Sequence, residues 1–163
     1  MQASRNAPRR LSLRTSKGQP AALAQSGQAR VRSDAVLVGS RIEAVVPVSD
    51  LQTALRFYER VLGLRLLELV GEPDAEREAR LAAAEGSLTI YESEAAGASN
   101  ATLAAFLVDD LDRVVAQLRA RGVAPIDYDL PHLKTEDGIA TIGRTRVAWF
   151  TDPDGNLLAV NTT

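Results

Sequence analysis

The sequence contains no cysteine, which excludes disulfides, thiolate metal ligands and cysteine nucleophiles together. Its only histidine is His132. No serine–histidine–aspartate set is visible in the chain and no glycine-rich phosphate loop occurs in it. No apolar run approaches the roughly 20 residues of a membrane span. Acidic residues are missing from positions 1 to 33, where seven basic groups lie (Arg5, Arg9, Arg10, Arg14, Lys17, Arg30 and Arg32).

That last absence divides the chain. The net charge of the 163 residues is -2, but the 130 residues after position 33 hold 12 basic and 21 acidic groups, a balance of -9. An acidic body repels a phosphate backbone, so no nucleic-acid partner is expected. With no membrane-spanning run, the expected location is cytoplasmic and no membrane partner is expected. Residues 1–40 are rich in Arg, Ser, Gln, Ala and Gly without a sustained apolar period, and read as a disordered basic tail that buries too little to offset the entropy of ordering it. An over-called start is one origin for such a segment. An organelle transit peptide is the sharper reading, since these are Arg- and Ser-rich and acid-poor. Ala21-Ala22-Leu23-Ala24 is too short for the apolar core of a secretory signal. The 45% hydrophobic fraction and the length of the rest fit one globular domain over residues 41–163.

Within that domain the sequence repeats itself. Val48-Ser49-Asp50-Leu51 and Val108-Asp109-Asp110-Leu111 lie about sixty residues apart; each follows a short apolar run and leads into a helical pattern ended by a glycine, Gly63 or Gly122. In the first half, Ile42 to Val48 reads as a strand that Pro47 ends or places at an edge. Ser49 suits an N-cap with Gln52 as its capping-box partner. Leu51, Leu55, Tyr58 and Leu62 recur at helical spacing, with Ala54 and Val61 widening the stripe. Leu64–Val70, Ala79–Ala84 and Ser87–Ser93 follow as strands, with Gly71–Glu78 as a polar turn. In the second half, Thr102–Val108 reads as a strand and Asp110–Arg121 as a helix, its acidic start favoured by the dipole. Val123–Tyr128 is expected to be a strand and Asp129–Asp137 a loop. Ile139–Ile142, Thr145–Thr151 and Leu157–Asn161 close the module, the last two joined by a strong turn at Asp152-Pro153-Asp154-Gly155-Asn156.

Several of these stretches resemble the vicinal oxygen chelate superfamily, which includes glyoxalase I, extradiol dioxygenases, fosfomycin-resistance proteins and bleomycin-binding proteins. They are Pro47-Val48-Ser49-Asp50-Leu51, Ala54-Leu55-Arg56-Phe57-Tyr58 with Leu62-Gly63-Leu64, Val108-Asp109-Asp110-Leu111-Asp112, and Ala148 through the Asp-Pro-Asp-Gly-Asn turn to Leu158. The resemblance implies an α+β fold: two βαβββ modules, about 41–95 and 101–163, whose mixed sheets curl into a cup around a small-molecule ligand, usually in a homodimer. It also implies where a divalent metal would sit. The first ligand position falls on Glu43, its counterpart in the second module on Leu103, and the last on Ala159. Leucine and alanine have no side-chain donor, and a metal needs several converging ligands. No metal or other cofactor is therefore expected.

Strand alternation tells what else the cup would hold. Val45 and Pro47 go with Glu43, Ala105 and Leu107 with Leu103, and Leu157 with Ala159. Tyr91 and Trp149 are candidate aromatic walls, although Trp149 could equally be core. Glu43 would be solvated at the rim, paired with Arg41 or another cation, or raised in pKa and so a candidate catalytic base. His132 reads as a solvated loop residue, or as an acid or base carried over the cup mouth. Glu92 and Glu94 read as solvated rather than paired. Two functions compete. One is a metal-independent protein of the bleomycin-resistance type that sequesters a small apolar or aromatic molecule. The other is a glyoxalase-like lyase or isomerase using Glu43 as base. A third reading leaves the cup residual and gives the dimer surface a regulatory or assembly role.

Overall fold

A computed structural model of the chain describes residues 36–37, 40–71 and 77–162. The tail read over residues 1–40 lies, apart from 36, 37 and 40, outside the described residues. Ser40–Thr163 forms one compact unit.

The repeat is realised as two sheets of the same topology. The first module runs β1 (Ala44–Val48), α1 (Leu51–Leu55) continuing as a π-helical segment (Arg56–Val61), β2 (Arg65–Val70), β3 (Glu78–Ala82) and β4 (Ser87–Glu92), with sheet order β1-β4-β3-β2. The second runs β5 (Ala104–Leu107), α2 (Leu111–Ala120), the short pair β6 (Asp129–Leu130) and β7 (Leu133–Lys134), then β8 (Ala140–Ile142), β9 (Thr145–Thr151) and β10 (Leu157–Thr162), with sheet order β5-β10-β9-β8. Each module's first strand pairs parallel to its last, β1 with β4 and β5 with β10; the other pairs are antiparallel. This is the expected α+β architecture of two modules. β1 and β5, the edges of their sheets, lie beside each other, so Pro47 does sit on an edge strand.

One face of each sheet packs under the helices. Val46, Val48, Leu81, Leu88 and Ile90 of the first module and Phe150, Leu158 and Val160 of the second are buried there with Leu51, Leu55, Tyr58, Leu111, Val115 and Leu118 in one continuous core. Gly63 and Gly122 end the helices with φ of 79° and 83°, the left-handed region that glycine enters without penalty.

The structure departs from the sequence reading at four places. Asp50, not Ser49, caps α1, accepting from Thr53 N at 2.7 Å; with it the Gln52 capping box falls away. The first helix widens: Leu62 N donates to Phe57 O at 3.1 Å, five residues back. That wider turn brings Phe57 into the core beside Tyr58, the rings edge-on at 5.4 Å. Val123–Tyr128 is not a strand; Ile126 N alone bonds the neighbouring strand, to Trp149 O at 2.7 Å, and Pro125 has no N–H to extend a ladder. The expected loop Asp129–Asp137 contains the β6–β7 hairpin.

Candidate functional site

The sheet faces turned away from the helices carry the residues singled out by the sequence. On the first module this face is polar. Glu43, immediately before β1, accepts from Ser87 Oγ at 2.8 Å and Thr89 Oγ1 at 3.1 Å, both on β4, and from Arg80 Nε of β3 at 2.8 Å. Alternation on two adjacent strands aims all these groups at one point. The Ser87 bond, joined by the Thr89 bond and the Arg80 guanidinium, outweighs desolvation and holds the Glu43 carboxyl below its ordinary value. A raised pKa is thereby corrected: the cation is Arg80, not Arg41, and the carboxylate is stabilised in its ionised form. Val45 is 52% exposed on the same face, and Tyr91 is half-buried opposite Pro47 in the β1–β4 register.

On the second module the equivalent face is apolar. Ala105 lies opposite Ala159, and Ala159 opposite Trp149. Ala140, Val147 and Ala159 form a small cluster closed by Leu133 of the hairpin and by Trp149. Leu103, just before β5, packs against the edge of the main core. Leu157 is half-buried and Leu107 is 71% exposed. Trp149 donates from Nε1 to Thr102 Oγ1 at 3.2 Å and meets Tyr128 edge-on at 5.4 Å. Asn161, which the sequence reading passed over, shares this alternation with Ala159, and its buried Oδ1 has no hydrogen-bond partner among the described residues.

The residues present do not fit a divalent metal of the usual kind. Of the three ligand positions, Leu103 and Ala159 have no donor, and Glu43 already serves three donors within the protein. Among the described residues, no three or more His, Cys, Asp or Glu side chains converge as a metal set. His132 is exposed at the turn between β6 and β7.

The Asp-Pro-Asp-Gly-Asn turn does more than reverse the chain. Asn156 is fully buried and Asp152 nearly so. Asn156 Nδ2 donates to Pro47 O at 2.7 Å and to Asp152 at 2.8 Å, while its Oδ1 accepts from Gly97 N at 3.0 Å. Tyr58 OH donates to Asp152 at 2.9 Å; burial first, then the Asp152 charge, pushes the Tyr58 hydroxyl far up, so it stays a donor. Asp154 accepts from Ser49 N at 3.1 Å and from Ser49 Oγ. The turn therefore clasps the second module to β1, the π-helical segment and the inter-module connection of the first. Glu92 is likewise structural rather than solvated: it pairs with Arg77 and accepts from Leu51 N at 2.9 Å at the start of α1. The Arg77 bond and the Leu51 amide lower its pKa. Glu94 is exposed.

The model of the Glyoxalase/Bleomycin resistance protein/Dioxygenase superfamily matches residues 41–160. Among solved structures, TnmS3, an antibiotic binding protein from Streptomyces sp. CB03234, is 28% identical with a TM-score of 0.53, covering 74% of this chain and 92% of its own. A glyoxalase/bleomycin resistance protein from the same Streptomyces is 26% identical with a TM-score of 0.51, covering 73% and 96%. The fosfomycin resistance protein FosX of Listeria monocytogenes shares the fold at 16% identity and a TM-score of 0.56, covering 76% and 92%. No curated protein matches the chain in sequence.

Proposed function

Because the chain belongs to the Glyoxalase/Bleomycin resistance protein/Dioxygenase superfamily, we propose that it is a small-molecule-binding protein which sequesters an apolar or aromatic ligand against its strand faces without the family's usual divalent metal. The observation that carries this reading is the donor set: carbon side chains at Leu103 and Ala159, and a Glu43 already committed to Ser87, Thr89 and Arg80. An apolar wall of Ala105, Leu157, Ala159 and Trp149 offers area, and Tyr91 and Trp149 offer flat faces. The antibiotic-binding neighbour at 28% identity supports a small-molecule ligand. The open, apolar positions Val45 and Leu107 suit cover by a second copy, so the working state in this reading is a homodimer.

The lyase or isomerase reading would use Glu43 as its base. The same contacts disfavour it, because three donors on a carboxylate lower its affinity for a proton. The test is a thermal-shift screen of aromatic antibiotics, bleomycin included, with and without Mn²⁺ or Zn²⁺, together with metal analysis of the purified protein. A metal-independent rise in Tm is expected, since binding to the native state stabilises it by mass action. About one tightly held divalent ion per chain would overturn the proposal. Turnover that is lost in Glu43→Gln while affinity is kept would establish the enzyme instead.

A further inference from the structure

On the helix side a cavity of about 330 Å³ opens between the modules, reaching the sheet edge at Leu107. That is the volume of a small-ligand site, roughly 300–1,000 Å³. One wall is the end of the π-helical segment and the turn after it, Val61 to Leu64; the facing wall is a single stripe of α2, Val114, Gln117 and Leu118, continued by its C-cap Arg121. Spacings of three and four residues bring those four side chains onto one helix face. Phe150 and Val160 line the space between. Irregular π segments recur at functional positions, and this one ends at the cavity. Val61 and Arg121 also line a second cavity, beside Phe57 and Thr151. Arg121 Nη1 donates to Val61 O at 2.7 Å, closing the partition between the two. That bond occupies one of the five guanidinium donors.

Arg121 brings only donors to this cavity and Gln117 both a donor and an acceptor, and among the described residues no acidic side chain lines it. The group that answers the free Arg121 donors is an acceptor on the ligand. A carboxylate would gain from the Arg121 charge but would face the C-terminal end of α2, where the helix dipole is negative, on a body carrying a balance of -9 after position 33. A neutral acceptor escapes both repulsions. We propose that this cavity is a second binding site, distinct from the strand faces, for a neutral apolar molecule bearing a carbonyl-type acceptor that Arg121 and Gln117 hold at the rim. The site stands whether or not the strand-face reading does.

Three matched probes test it by NMR titration of the full chain: 2-acetylnaphthalene, its hydrocarbon counterpart 2-isopropylnaphthalene, and 2-naphthoate. The ketone should bind about tenfold tighter than the hydrocarbon, the worth of one hydrogen bond to a charged donor, and should shift the amides of Val61, Leu64 and Val114. Arg121→Met, at an exposed helix end, should erase that preference while leaving hydrocarbon binding unchanged. Val114→Phe should fill the cavity and abolish binding of both, and Ala105→Trp, on the strand face, should leave both intact. Equal affinity for ketone and hydrocarbon, tightest binding by naphthoate, or no binding of any probe would overturn the proposal. So would shifts confined to strand-face residues with binding lost only in Ala105→Trp; that result would uphold the strand-face reading. Should Val114→Phe fail to fold, Arg121→Met and the shift map decide.

Discussion

Where the first module has Glu43 the second has Leu103, and the strands around each have diverged with them. Glu43 draws Ser87, Thr89 and Arg80 into a polar knot on its strand face. The same face of the second module holds Ala140, Val147 and Ala159 under Leu133 and Trp149. The two sheets nonetheless have the same strand order and the same parallel pairing of first and last strands. Topology is thus held by the helix-side core and by the clasp at Asp152–Asn156, and the chemistry of the opposite face varies over it.

The comparison breaks most readily at the clasp. Asn156→Leu should cost about 4 kcal/mol, because it strands Pro47 O, Gly97 N and part of the Asp152 carboxylate in a buried site. Urea denaturation measures this, and a loss below about 1 kcal/mol would show that the modules hold together without it. Gly97→Ala should cost about 3 kcal/mol by the same assay: its φ is 67° and an added Cβ would lie 2.1 Å from the Asp154 carbonyl oxygen. Swapping the second module's face toward the family's pattern sharpens the contrast. Leu103→His with Ala159→Glu should bind Zn²⁺ or Mn²⁺ at least about tenfold more tightly once Arg80→Ala also frees Glu43. Calorimetric titration that gives equal affinity with and without Arg80→Ala would refute the view that Glu43 is committed elsewhere. The smallest effect is on pH. The folded-state pKa of Glu43 is lowered, so its contribution is present above the ordinary glutamate value of 4.5 and lost as pH falls through the folded value. Glu43→Gln should flatten the acid limb of a Tm–pH curve below that value; an unchanged limb would show that the bonds from Ser87, Thr89 and Arg80 carry no net stability.

Much of this was legible before any coordinates. Period-2 alternation at Val46, Val48, Leu88 and Ile90 identifies a buried face because adjacent side chains on a strand must point oppositely. The glycine stops at Gly63 and Gly122 follow from the backbone conformation they adopt. The partners of Glu43 were harder to see. Ser87 and Thr89 do sit two apart on one strand, the available signal, but Arg80 joins them only through the β3–β4 register, a pairing between positions that local sequence does not encode. Misplaced capping at Ser49 has the same origin: both Ser49 and Asp50 can cap, and Asp154, more than a hundred residues away, takes Ser49.

By itself, then, the sequence determined the duplicated α+β architecture, the glycine stops of the helices and the absence of a side-chain donor at Leu103 and Ala159. These are local properties: residue type, period and backbone freedom. Tertiary structure alone decided that Glu43 is ionised and occupied, that the Asp-Pro-Asp-Gly-Asn turn binds one module to the other, and that a cavity with Arg121 at its rim lies between the helices. Each of those depends on groups from separate strands or separate modules converging within hydrogen-bonding or packing distance.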